Sequence, residues 1–311
     1  MLGRGCTVNA FALLDRYWFA AAPARRLAAL RVLIGGFGLA YLVIRWPNLV
    51  SYGTFDERRF DPVGVVSLLG EPLGADAVKL LVAAAILAGI AFVVGWRFRV
   101  SGPLFALLLL WVLTYRNSFG QIFHTENLLV LHVLILAVSP AADAWSLDSR
   151  GKQEPGDKGW YGWPVRLMCL VTVLTYFITG ETKLRNSGLE WVTSDSLQNY
   201  VAYDNLRKAE LGDPHSPFAS LVLDHGWIFH PLAAFTLLVE LGAPLAMLGR
   251  RIGAAWCAAA WAFHVGVLAM MAIVFPYPLL GLAFAPFFPV ERIRLPVRLP
   301  AAPGRRRLAE S

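Results

Sequence analysis

Eight apolar stretches separated by short polar breaks dominate the chain: residues 27–44, 78–94, 100–115, 127–142, 167–180, 226–248, 253–275 and 277–290. They are too numerous to serve a single soluble core. Several fall short of the roughly 20 residues that cross a bilayer upright, so they must borrow flanking residues or pack where neighbours set their depth. The pattern predicts an all-α, polytopic transmembrane helix bundle of about eight spans, with six to nine admissible. Its expected organisation is an N-terminal interfacial segment at 1–26, a bundle over 27–291 with outer loops at 45–76 and 181–225, and a basic cytoplasmic tail at 292–311.

Composition sharpens this reading. Of 311 residues, 57% are hydrophobic and only 16% charged, which no ordinary soluble domain requires. The leader is not expected to be a signal peptide, because Asp15 and Arg16 interrupt its short apolar part. Phe11, Leu14, Tyr17, Trp18 and Phe19 predict an amphipathic helix on the interface, against the alternative of a disordered leader. In the second loop, Ser194 is positioned to cap a helix running through Asn205, with Leu197, Tyr200, Val201 and Leu206 on its apolar face.

The net charge of +7 raises the question of nucleic acid, but its distribution answers otherwise. With eight spans, 18 of the 28 Lys and Arg fall on one side, eight on the other, and Arg31 and Lys79 within spans. That asymmetry predicts a cell-membrane protein with both termini cytoplasmic and no nucleic-acid groove. Arg305, Arg306 and Arg307 are expected to meet anionic headgroups. Cys6, Cys169 and Cys257 lie far apart, and no metal-ligand spacing or CxxC pair is present. Trp46, Trp96, Trp145, Trp160, Trp163, Trp191 and Trp227 sit near span ends, as interfacial indoles do.

Ionisable groups in or beside spans carry the chemistry, since each is costly in lipid unless paired or useful. Lys183 follows Tyr176-Phe-Ile-Thr-Gly180 at a span end, where it is either a snorkelling anchor or a tuned amine. Glu240 is about 14 residues from Gly226 and His264 about 11 from Phe275, placing both roughly 17–21 Å below the outer edge on adjacent spans. A carboxylate–imidazole contact is expected there, structural or proton-transferring. His124, Glu126 and Asn127 gather at the mouth of the fourth span, where the last two would also serve as helix caps, and His132 follows on the 124-128-132 face. Lys183, His124, Glu126 and Asn127 are expected to converge on the outer side, with His132 just below.

These residues resemble the horizontally transferred transmembrane domain family, typified by the membrane portion of vitamin K-dependent γ-glutamyl carboxylase. The resemblance runs from about Arg31 to Glu291. Its markers are Arg31-Val-Leu-Ile-Gly-Gly, Gly95-Trp-Arg-Phe-Arg, Asn127-Leu-Leu, Ala144-Trp-Ser-Leu-Asp148, Tyr176 to Gly180 with Lys183-Leu184 and Trp191, Phe263-His264, and Ile273-Val-Phe275. It implies a quinone/hydroquinone cofactor and Lys183 as the base toward the hydroquinone. His264 and Glu240 match a family histidine and acidic residue directly, and His124 matches with a one-residue shift. Thr182 stands where the carboxylase has the first of two lysines. The chain stops about twenty residues after its last span, so the carboxylase's peptide-binding extramembrane domain is not expected.

Two functions follow as expectations. One is a quinol- or lipid-binding pocket facing outward, with Lys183, His264 and His124 catalytic and Glu240, Glu126, Asn127, His132, Tyr176 and Trp191 lining or supporting it. The other is a non-enzymatic membrane scaffold for an envelope or periplasmic redox partner. A transporter is disfavoured by the lack of an inverted repeat.

Overall fold

The computed structural model describes residues 10–293, and among these the secondary structure is helical apart from one isolated bridge between Ala22 and Lys158. Cys6 and the arginine-rich tail lie outside the described residues. Helix α1 (Ala10–Trp18) precedes α2 (Ala24–Ile44), and the short α3 (Trp46–Ser51) leads into a loop of 3-10 turns. Next come α4 (Ala75–Val94), α5 (Phe98–Asn117), α6 (Asn127–Ala137) and α7 (Gly162–Ser187). A polar excursion then carries α8 (Glu190–Thr193), α9 (Ser196–Leu211) and α10 (Pro217–Val222). Finally α11 (Phe229–Leu241) continues through a 3-10 segment, Ala243–Met247, to α12 (Arg250–Met271) and the short α13 (Pro276–Leu279).

Among the described residues, five helices are long and apolar enough to cross a membrane: α2, α4, α5, α12 and the stretch Gly159–Ser187 containing α7. Two shorter apolar stretches, Asn127–Ala137 and Gly226–Leu241, join them. Backbone chemistry sets the breaks. Gly95 takes the left-handed conformation (φ 67°) that closes α4, and α6 stops just before Ser139-Pro140, where proline disfavours helix in its predecessor.

The stretch 277–290, expected as a helix, is not one. Pro276, Pro278, Pro286 and Pro289 reduce it to α13 and a 3-10 run, Leu282–Phe287, because each removes a backbone donor. It still returns across the bundle, from Tyr277 beside α6 to Glu291, which accepts two hydrogen bonds from Arg26 near the start of α2.

Packing divides the bundle. Helices α2, α4 and α5 form one group, α7, α11 and α12 the other, and α6 touches both. The first group encloses Ile34, Phe92, Phe105 and Leu109 completely. Cys169 and Cys257 are free and buried in the second, as packing residues. In the excursion, Asp195 rather than Ser194 precedes α9, which runs six residues past Asn205. Val201 and Asn205 are buried in it, whereas Tyr200 and Leu206 are exposed, so the apolar face is narrower than expected.

Candidate functional site

Helix α7 supplies the backbone of the site. Thr175, Thr179 and Lys183 follow at intervals of four, and Tyr176 lies three residues before Thr179 and seven before Lys183, so all four share one face. Gly180, on that same face, lets α11 approach: an added Cβ would sit 2.7 Å from the Glu240 Cβ and 3.1 Å from the Leu241 backbone nitrogen. This close approach brings Glu240 to Lys183. The Lys183 ammonium donates to Glu240 Oε1 at 2.6 Å and Oε2 at 2.8 Å. The carboxylate side chain is 2% exposed and the lysine 19%. The ammonium also lies 4.8 Å from the centroid of the Trp191 ring and 5.8 Å from that of Phe263, both able to stabilise a cation through their faces. Trp191 in turn donates to Thr236 of α11 at 3.3 Å.

Deeper along α7, the Tyr176 hydroxyl and His264 Nε2 of α12 are 2.7 Å apart. His264 Nδ1 is buried and has no partner among the described residues. Its ring lies 5.0 Å from that of Phe275, which also meets His124 at 5.6 Å.

These groups enclose one cavity of about 310 Å³, walled by Lys183, Glu240, Tyr176, His264 and His124, with Phe263, Val267, Phe275 and Tyr277 among its apolar lining. Thr175 and Thr179 are exposed while lining it, so the cavity opens along that edge of α7. Behind the Tyr277 wall, the fully buried His132 bonds the Tyr277 hydroxyl through Nδ1 at 2.7 Å and the Thr172 hydroxyl through Nε2 at 3.0 Å.

Several expected contacts are rearranged. Glu240 meets Lys183 and not His264, which takes Tyr176 instead. The two partners on α7, Lys183 and Tyr176, are seven residues apart, about 10 Å along the helix axis. Equal counts inward from the loop ends therefore did not mean equal depth, because α11 begins well beyond the end of α7, beside α8 and α9. Arg185 and Glu181 pair with each other at 3.4 Å as exposed i, i+4 neighbours, leaving Lys183 to Glu240.

Glu126 turns away from the cavity to Arg116, 2.8 Å distant, within a buried group that includes Tyr41. Asn127 is exposed and outside the lining. Thus Lys183, His264, His124, Glu240 and Tyr176 come together, Trp191 and His132 support them from outside, and Glu126 and Asn127 stand apart. Sequence reasoning missed Tyr277 and the two threonines. The α7 periodicity would have found the threonines, whereas Tyr277 sits in the broken return segment.

The geometry suits an amphiphilic guest, since a mostly apolar chamber carries one ion pair and one unsatisfied imidazole nitrogen. No curated protein and no solved structure matches the chain. The HTTM domain family does, over residues 19–291. With that match and its apolar helices, the chain belongs to the HTTM domain family, the membrane domain of vitamin K-dependent carboxylase-like proteins, and is an integral membrane protein in contact with the lipid bilayer.

Proposed function

We propose that the cavity binds a quinol or a comparable lipid-soluble phenol and that Lys183 accepts its hydroxyl proton. The carrying observation is the Lys183–Glu240 pair on the wall of a mostly apolar chamber. An ammonium is not a base. Glu240, however, can take one of its protons along a hydrogen bond that already exists, leaving an amine lone pair at the cavity wall. In a dry site, a neutral hydrogen-bonded pair competes with an ion pair. His264, turned by Tyr176 at Nε2, offers Nδ1 to a second polar atom of the guest. His124 closes the chamber against Phe275. The opening beside Thr175 and Thr179, within a lipid-crossing helix, favours a guest that arrives from the bilayer.

The accompanying topology has eight crossings, counting the broken return segment, with Lys183 on the outer side and both termini cytoplasmic. The excess of Lys and Arg on the opposite side supports it. Oxygen uptake with a reduced naphthoquinone tests the chemistry: wild type consumes oxygen and Lys183→Ala falls to background. Equal rates in the two, or no uptake by either with any quinone, removes the claim.

A second reading rests on the excursion, where Tyr200, Tyr203 and Leu221 are 63%, 69% and 69% exposed. A scaffold for a membrane or periplasmic redox partner would use that face. Crosslinking from Tyr203 to a single stoichiometric partner supports it, and a lack of any crosslink counts against it.

A further inference from the structure

A second, larger cavity, about 950 Å³, lies at the opposite end of the bundle from Lys183, where α5 begins, α6 ends and the loop 138–160 returns to α7. The family markers Gly95-Trp-Arg-Phe-Arg99 and Ala144-Trp-Ser-Leu-Asp148 interlock at its edge. The backbone N–H groups of Leu147 and Asp148 donate to the carbonyls of Val94 and Gly95, at 2.9 and 3.1 Å. Asp148 answers by accepting from the N–H groups of Arg97 (2.9 Å) and Phe98 (2.7 Å). A side chain at Gly95 would strike Ser146 and the Arg31 guanidinium, with the added Cβ at 2.5 and 2.6 Å. Arg31 itself, fully buried, donates to the carbonyls of Ala141 and Trp145. Two separate segments are thereby fixed against each other.

That fixation leaves an imbalance of charge. Arg97, Arg99 and Lys152 line the cavity and are exposed, and none forms an ion pair among the described residues. The two carboxylates that line it are already engaged, Asp148 by the backbone of α5 and Asp143 by the Tyr161 hydroxyl at 2.8 Å. Nearby Glu154 is held by Arg25. The rim is apolar and open: Val100, Val138 and Trp160 are 67%, 69% and 61% exposed. Cations inside and exposed hydrocarbon around them, at the level where four helices end, describe a site for an anion that carries acyl chains.

We propose that this cavity binds the phosphate of an anionic phospholipid headgroup, with Arg97, Arg99 and Lys152 as donors and the Val100–Val138–Trp160 rim against the first carbons of the chains. A soluble phosphate ester would make no use of that rim. The site is independent of the lysine cavity and of its chemistry.

Native mass spectrometry of the full chain, released from nanodiscs of phosphatidylcholine with about one-fifth phosphatidylglycerol, tests it. Wild type retains phosphatidylglycerol in preference to phosphatidylcholine. Arg99→Gln with Lys152→Gln lowers that preference by roughly 25-fold, about fivefold for each cation removed. The double change Arg16→Gln with Arg251→Gln removes two exposed cations of the same face outside the cavity and leaves the preference intact. Equal losses in the two double variants would mean diffuse attraction and overturn the site. Displacement of the lipid by millimolar inorganic phosphate would overturn the lipid as its ligand. If the cavity double variant does not fold, Lys152→Gln alone, on an exposed loop, must still lower the preference about fivefold, and no change defeats the proposal.

Discussion

Two buried carboxylates, each joined to one cation, differ in what surrounds them. Glu126 and Arg116 are 9% and 4% exposed, and the guanidinium is further wrapped by Tyr41, Asn117 and the face of Phe123 at 4.5 Å. That pair is almost wholly enclosed by protein, although the Arg116 Nε finds no acceptor among the described residues. Glu240 and Lys183 are as tightly bonded, yet the lysine keeps one side on a cavity. Burial alone therefore does not distinguish a structural ion pair from a chemically available one. What distinguishes them is a vacant direction at hydrogen-bonding distance, and an amine that can give up a proton where a guanidinium cannot.

That contrast can be broken by mutation. Glu126→Gln should have the largest effect, about 3–5 kcal/mol of lost stability, because it strands a buried guanidinium that stays charged. Thermal unfolding in detergent measures this, and binding of a reduced naphthoquinone to the surviving folded protein should be unchanged. Lys183→Met should cost less, about 2 kcal/mol, since the stranded Glu240 can bind a proton. Adding Glu240→Leu should recover most of that loss while oxygen uptake stays absent. If the double variant is no more stable than the single, the pair is structural like the first.

Gly180→Ala follows, at about 1–3 kcal/mol, because the methyl forces α7 and α11 apart and lengthens the Lys183–Glu240 bonds. Its naphthoquinone affinity should fall along with its melting temperature. The smallest effect belongs to a third pair, Arg26–Glu291, whose side chains are 25% and 10% exposed. Burial pushes the Glu291 carboxyl up, but the hydrogen bond and charge of Arg26 outweigh it and hold the carboxyl below its ordinary value. Its contribution is complete above the usual carboxylate range and disappears as pH falls through the lowered value. Glu291→Gln should cost under about 1 kcal/mol at neutral pH and flatten that acid limb of the melting curve.

The order of apolar stretches and the place of Lys183 at the end of the span that holds Tyr176 were legible in the sequence. The identity of partners across helices was not. Glu240 and His264 looked level because depth was counted from loops, and no local pattern reports that one helix projects past another. Glu126 read as a mouth residue because its partner, Arg116, precedes it across a turn that periodicity cannot close. Tyr277 was read as the first residue of a regular helix, although the spacing of Pro276, Pro278, Pro286 and Pro289 argued otherwise.

The prolines of that return segment decide which wall of the chamber can yield. Its backbone is tied sideways, with Trp261 donating to the Leu279 carbonyl at 2.9 Å and Thr172 to that of Ala283 at 3.4 Å. Moving its middle exchanges these lateral bonds and the Tyr277–His132 bond, whereas parting α7 from α11 would open the glycine contact and the ion pair together. On the reading that the chamber binds a quinol, a bulkier guest should displace the proline-bearing strap rather than part α7 from α11, so that the amine keeps its aim while the seat widens on the far side.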